Sequence, residues 1–168
     1  CIRDRNVPVV MIHTYGAFAR DPLYNGLQKR RAKVSAQMQC LLSSSDVAER
    51  NVAEINERIF SAFRFDNFRW QEENGVSVSE PFRADGLNRV LYKCPHCLAE
   101  GKMEGKGTSL ICRSCNKEYR LTEIGTLECL NGEAAFTHVP DWYTWERQCV
   151  REELELSLIH ISEPTRPY

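Results

Sequence analysis

Four of the chain's eight cysteines stand as two close pairs, Cys94-Pro-His-Cys97 and Cys112-Arg-Ser-Cys115, with fourteen residues between them. Two C-x2-C pairs at this separation supply four thiolates to one tetrahedral ion, the pattern of a structural Zn2+ site. Each pair predicts a tight turn whose backbone amides point at the sulfurs. A closed four-thiolate set leaves no position for water or substrate, so the ion would contribute folding energy and no catalysis. A redox dithiol is the alternative, and it needs only one such pair. His96 lies inside the first turn and is expected to be exposed. Glycine often follows such turns. Here Leu98 and Asn116 stand in its place, and Leu tolerates the left-handed conformation less well than Asn, so the first turn is expected to be the looser one.

Other groups with chemical potential are isolated. Cys1, Cys40, Cys129 and Cys149 have no neighbouring base and read as small packed hydrophobes. His13 and His138 have no identifiable partner. Arg64, Phe65, Phe68, Arg69 and Trp70 could stack bases, but helical spacing explains them as aromatics on a core with arginines outside. Trp142, Tyr143 and Trp145 suit either a lipid interface or packing against the cysteine module; Glu146, Glu152 and Glu153 would repel anionic lipid and favour packing. From Lys93 to Arg120 six bases face three acids, a net charge of +3 that falls to +1 with four thiolates and one Zn2+. That is weak for a nucleic-acid binder, whose affinity rests on several phosphate contacts.

The elements that must hold these residues read as α+β. Val7 to Ile12 is β-branched and apolar on both faces, as in a buried strand with Pro8 near its start. Val34, Ala36, Met38, Cys40 and Leu42 alternate with polar neighbours, predicting a half-buried strand, with a short helix over Leu23 to Arg31 between the two. Asn51-Val-Ala-Glu54 carries a helix-start spacing, and Val52, Ile55, Ile59 and Phe63 follow at helical intervals. Phe65 to Trp70 predicts a second short helix stopped by Asn74-Gly75. Asp85-Gly86 marks a turn before strand-like Leu87 to Lys93. Short strands around Met103, Leu110-Ile111, Tyr119 to Leu121 and Leu127 to Cys129 complete the cysteine module. Pro140-Asp141 opens a last helix with Trp142, Trp145, Cys149 and Val150 on one face.

Composition agrees with a folded chain: 168 residues, 42% apolar and 27% charged, with a net charge of -1 that gives no global attraction to phosphate or anionic lipid. The longest apolar run is far short of the roughly 20 residues that a spanning helix needs. Eight cysteines fall below the density of a disulfide scaffold, and their pairing suggests a reducing, cytosolic setting. The start on Cys1, without a leader, suggests missing upstream sequence. Leu156 to Arg166 resembles one reading frame of a transposase sequencing adapter, so natural sequence is expected to end near Glu155.

Several longer segments resemble the C-terminal portion of bacterial lysophospholipid acyltransferases (the 1-acyl-sn-glycerol-3-phosphate acyltransferase family) that carry a zinc ribbon. They are Val7-Pro-Val-Val10, Thr14-Tyr-Gly-Ala-Phe-Ala-Arg-Asp-Pro-Leu-Tyr24, Phe65-Asp-Asn-Phe-Arg-Trp70, Glu80 to Cys97 and Val139-Pro-Asp-Trp-Tyr-Thr-Trp-Glu-Arg147, within a match over roughly residues 5 to 155. The resemblance implies a fragment of an α/β acyltransferase core (1–42, its C-terminal strands), a helical connector (43–90), a small β zinc ribbon (91–131) and a C-terminal helix (132–155), followed by the adapter-like tail (156–168). It implies a parent enzyme that moves a fatty acyl group from a thioester of acyl carrier protein or coenzyme A to lysophosphatidate, making phosphatidate, peripherally at the inner face of the cell membrane. In that family the His of a His-x4-Asp pair is the base and its Asp orients it. A Phe-Pro-Glu-Gly-type motif helps bind phosphate, and a Val-Pro-Val-like strand borders the acceptor site. Only the last has a candidate here, Val7, Pro8 and Val9. The residues five places after His13, His96, His138 and His160 are Phe18, Gly101, Tyr143 and Thr165, so no catalytic residue is assigned and this chain alone is expected to be inactive. The competing reading is a zinc-ribbon module that binds nucleic acid or a protein such as an acyl carrier.

Overall fold

The computed structural model describes residues 5–161 and is a mixture of helices and antiparallel sheets. Strand β1 (Val9–Tyr15) pairs antiparallel with β2 (Ser35–Leu42) as a two-stranded ribbon, with Ile12 opposite Met38 and a register shift at Val9/Val10. A one-turn helix α1 (Ala17–Arg20) and a 3-10 turn at Leu23–Asn25 replace the helix expected over Leu23 to Arg31, because Pro22 is extended and Gly26 turns left-handed.

The ribbon differs from its sequence reading. β1 is covered on one face only, and Val10 and Ile12 are exposed. Ala36, Met38 and Cys40 fall on that same open face, so the alternation in β2 points its apolar set outward; only Leu41 and Leu42 are buried, against Val47 and Ile55. Cys40 is therefore an exposed thiol and not a packed one. Cys1 lies outside the described residues.

Three helices follow. α2 (Ser44–Glu49) went unread in the sequence although Ser43 and Asp46 form a reciprocal capping box. α3 (Val52–Phe63) starts on the expected box of Asn51 and Glu54, and buries only Ile55 fully. α4 (Asn67–Glu73) is capped by Asp66, which accepts from the Arg69 amide, and stops at Asn74-Gly75. Each box satisfies amides that the first turn leaves unpaired.

Leu87 to Lys93 is not a strand. Leu87–Arg89 is a 3-10 turn, and Leu87 and Leu91, four apart, are both fully buried. Gly86 enters the turn at φ 75°, where a side chain would meet the Tyr24 carbonyl. The cysteine module is a four-stranded antiparallel meander, β3 (Met103–Lys106), β4 (Ser109–Cys112), β5 (Glu118–Leu121) and β6 (Leu127–Cys129). α5 (Val139–Ile161) closes it and runs past Glu155, although residues 151–157 are all exposed.

One core joins the module to distant chain. Tyr24 and Phe68 share it with Leu87, Leu110, Tyr119 and Trp142. Arg83 is the polar pin. Its Nε donates to the Leu121 carbonyl at 2.7 Å, and its own carbonyl accepts from Tyr24 Oη and Arg30 Nη2, each at 2.9 Å. Among the described residues no helix is long and apolar enough to cross a membrane.

Candidate metal centre and the adjoining cleft

β-hairpin geometry brings the two cysteine pairs together. An isolated bridge between Lys93 and Glu100 closes the Cys94 turn, and Cys112, which ends β4, is set beside it by its pairing with Met103 and by the Arg113 amide, which donates to the Lys102 carbonyl at 2.8 Å. The two turns are built alike. Leu98 N donates to Cys94 O at 2.9 Å and Asn116 N to Cys112 O at 2.8 Å; Cys94 N donates to Ala99 O, and Cys112 N to Lys117 O. Leu98 and Asn116 both sit at φ near 60°, so the first turn is not looser than the second. What differs is strain, since a left-handed Leu costs roughly 1–2 kcal/mol. Leu98 is also mostly exposed, so little packing offsets that cost. Leu98→Gly is therefore expected to stabilise the protein by about 1 kcal/mol. Thermal or urea unfolding of the metal-loaded protein checks this; an unchanged or lowered midpoint would show that the Leu98 side chain contributes more than its backbone costs.

The four Sγ atoms of Cys94, Cys97, Cys112 and Cys115 lie within 4.8 Å of one another. Cys94 to Cys115 and Cys97 to Cys112 are each 3.7 Å, sulfur to sulfur. Thiolates about 2.3 Å from a central ion define a tetrahedron with edges of about 3.8 Å, so the set fits a metal ion. A tetrahedral all-thiolate set is the donor chemistry of Zn or of iron-sulfur centres. Cys94 and Cys112 are buried, Cys97 and Cys115 half-buried, and His96 is exposed. Burial pushes the Cys94 thiol up to about 12, whereas the Ala99 amide holds Cys97 down at about 7. A bound cation would compensate the burial that disfavours the Cys94 thiolate.

α5 locks the first turn in place. Trp142 is fully buried edge-on to Tyr119 at 4.9 Å, and its Nε1 donates to the Lys93 carbonyl at 3.0 Å. Glu146 Oε1 accepts from the Lys93 amide at 2.8 Å. Glu146 is fully buried, and its Oε2 has no hydrogen-bond partner among the described residues. Desolvation lifts its carboxyl to about 7. Lys93 Nζ reaches Glu100 at 3.0 Å and Glu153 at 2.9 Å. Arg113 and Arg120 are likewise paired, with Glu104 and Glu128. Three of the module's six bases are thus occupied, which weakens its hold on phosphate further.

Val7 and Pro8 precede β1 and are exposed, and Val9 is its half-buried first residue. None of the three lines the apolar cleft on the other side of the aromatic residues Phe18 and Phe68. That cleft, of about 590 Å³, is walled by Phe18, Leu23, Tyr24, Phe68, Leu87, Arg89, Val90 and Val139. A second hollow of about 720 Å³ shares Phe18, Phe68, Val90 and Val139 with it and adds Arg64, Asp66, Thr144 and Arg147. Beside it His138 stands between two carboxylates, Asp66 Oδ2 at 3.2 Å and Asp141 Oδ1 at 3.3 Å. His138 thus stands between the α4 cap and the start of α5, and neither of its nitrogens makes a hydrogen bond among the described residues. His13 packs its ring on Phe65 at 4.2 Å and Tyr15 at 4.4 Å. Sequence spacing could not assemble the cleft or the His138 cluster, because their parts come from four separate stretches. Comparison of the chain with protein-family models, curated proteins and solved structures gave no match.

Proposed function

We propose that the chain is a portion of a lysophospholipid acyltransferase, which moves a fatty acyl group from a thioester to lysophosphatidate at the inner face of the cell membrane, and that its four cysteines hold a structural Zn2+. One observation carries the reading. The four long segments of resemblance, Thr14 to Tyr24, Phe65 to Trp70, Glu80 to Cys97 and Val139 to Arg147, together supply every residue that walls the 590 Å³ cleft. Segments that resemble one enzyme family and converge on one concave surface are what a shared working surface requires.

In the reaction the acceptor hydroxyl attacks the thioester carbonyl, the thiol leaves, and a base takes the hydroxyl proton. General-base help is worth typically 10²- to 10⁴-fold. No histidine of this chain has an Asp at the required spacing, so the reading requires the base to come from sequence outside residues 1–168. A zinc ion enclosed by four thiolates would have no open position for activating the hydroxyl, and would hold the first cysteine turn to the second. The test is the upstream reading frame. It is expected to contain His-x4-Asp and a Phe-Pro-Glu-Gly-type motif, and the longer protein to make phosphatidate from lysophosphatidate and labelled acyl thioester, while the 168-residue chain makes none. Transfer by the short chain, or a longer protein with neither motif nor activity, would overturn the reading.

A further inference from the structure

We propose that a small cavity beside the Arg83 pin binds a single halide ion, held by the buried guanidiniums of Arg30 and Arg83. The cavity measures about 10 Å³, and Phe18, Ala19, Phe68 and Val78 supply apolar wall. Every charged residue in that wall is an arginine, Arg30 or Arg83. Both are more than nine-tenths buried, at 7% and 9% exposure.

The two cations bond only to neutral oxygens. Arg30 Nη2 donates to the Tyr24 hydroxyl at 3.0 Å and to the Arg83 carbonyl at 2.9 Å. Arg83 Nε donates to the Leu121 carbonyl at 2.7 Å, and its Nη1 to the Glu80 carbonyl at 3.2 Å. Among the described residues neither guanidinium has a carboxylate within 4.0 Å. The Glu80 carboxylate accepts from the Arg31 amide, Asp21 pairs with Arg20, and Glu123 accepts from the Ser77 hydroxyl. Arg30 Nε is buried and has no acceptor among the described residues. Two buried positive charges without a counter-ion are costly, and an anion that takes the orphaned N–H offsets both deficits with one charge-assisted hydrogen bond. Size selects the anion. A space of this volume takes one water-sized particle, which excludes phosphate, sulfate and carboxylates. Water satisfies the N–H and leaves the charge, whereas a halide answers both. The wall's neutral polar groups are partly spent: Gln71 Nε2 donates to the Val76 and Glu123 carbonyls, and the Thr122 hydroxyl pairs with that of Thr126. Because Arg30 belongs to the amino-terminal stretch and Arg83 reaches β5, the ion would fasten that stretch to the cysteine module.

The experiment is thermal unfolding of the metal-loaded 168-residue chain in sodium chloride, bromide, gluconate and sulfate at equal ionic strength. Chloride and bromide are expected to raise the midpoint along a binding curve that bends at one Kd. At chloride about a hundredfold above that Kd, the midpoint is expected roughly 5–10 °C higher than in gluconate. Sulfate stabilises folded proteins in general but is too large for the cavity, so a halide advantage over sulfate inverts the usual order of salts. Arg30→Met removes one charge and the orphaned N–H, and is expected to abolish the difference between chloride and gluconate. A direct measurement on the parent chain stands whether or not that variant folds: the chloride NMR line is expected to broaden with added protein and to narrow again as bromide displaces it. Equal midpoints in chloride and gluconate, a chloride line that protein leaves sharp, or a folded Arg30→Met with the full chloride response would overturn the proposal and leave a water in the cavity.

Discussion

Cys112→Ser is expected to abolish metal binding and unfold the four-stranded module. Cys112 is fully buried, ends β4 and stands 3.7 Å from Cys97, sulfur to sulfur. A serine hydroxyl there neither reaches nor neutralises the ion as a thiolate does. Structural zinc contributes apparent binding energies of about 10–16 kcal/mol in small metal-dependent domains, against a typical total stability of about 5–15 kcal/mol. Losing one ligand therefore exceeds the reserve. Because the same core holds Tyr24, Phe68 and Trp142, the loss spreads beyond the strands. Elemental analysis, near-ultraviolet circular dichroism and proteolysis are the measurements. One equivalent of metal in the parent and none in a protease-sensitive variant is the expected pair of results. A variant that melts like its parent, or a parent with no metal, would remove the site.

Glu146→Gln is expected to stabilise the protein at pH 8 and leave it unchanged at pH 4. The carboxyl is fully buried, and desolvation lifts it to about 7 from an ordinary 4.5. An acid with a raised pKa binds its proton more tightly folded than unfolded. Its protonation therefore favours the native state fully below pH 4.5, and that favour is lost as pH rises from 4.5 to about 7. At about 1.4 kcal/mol per pH unit the window amounts to roughly 3 kcal/mol. Glutamine keeps an oxygen for the Lys93 amide without the buried charge, so the variant should lose this slope. Unfolding free energies across the window, for both proteins with metal bound, decide it. Parallel pH profiles would show that the carboxylate is compensated, for instance by Lys93.

The cysteine module was the most legible part of the sequence. Gly107 and Gly125 mark two of its three turns, and its ligands come in pairs whose spacing is itself the geometry. α3 was legible for the same local reason, a capping box followed by helical periodicity. The reading failed where periodicity was right and its partner unknown. Ala36, Met38 and Cys40 do alternate, but a two-stranded ribbon has one covered face, and nothing local says which. Leu87 to Lys93 reads as a strand, and only the neighbouring core buries Leu87 and Leu91 together from a turn. The burial of Glu146 was not legible, because a buried acid has the same one-letter signal as a solvated one. The helix and sheet content follows the expected α+β class, whereas the acyltransferase-core assignment stays with the proposal above.

The Arg83 pin sets an order of events. β3 to β6 pair residues close in sequence, such as Lys106 with Ser109 and Leu121 with Leu127, whereas Tyr24 and Arg30 reach Arg83 across 59 and 53 residues. Short loops close first, so the meander can form while the amino-terminal stretch is still searching. On a ribosome adding about 5–20 residues per second, residues 14–31 wait several seconds before Arg83 and Leu121 have both emerged. During that interval Phe18, Leu23 and Tyr24 have no surface to join and stay open to proteases and chaperones. Cleavage of ribosome-stalled chains within 14–31, lost once translation passes β6, would record the wait.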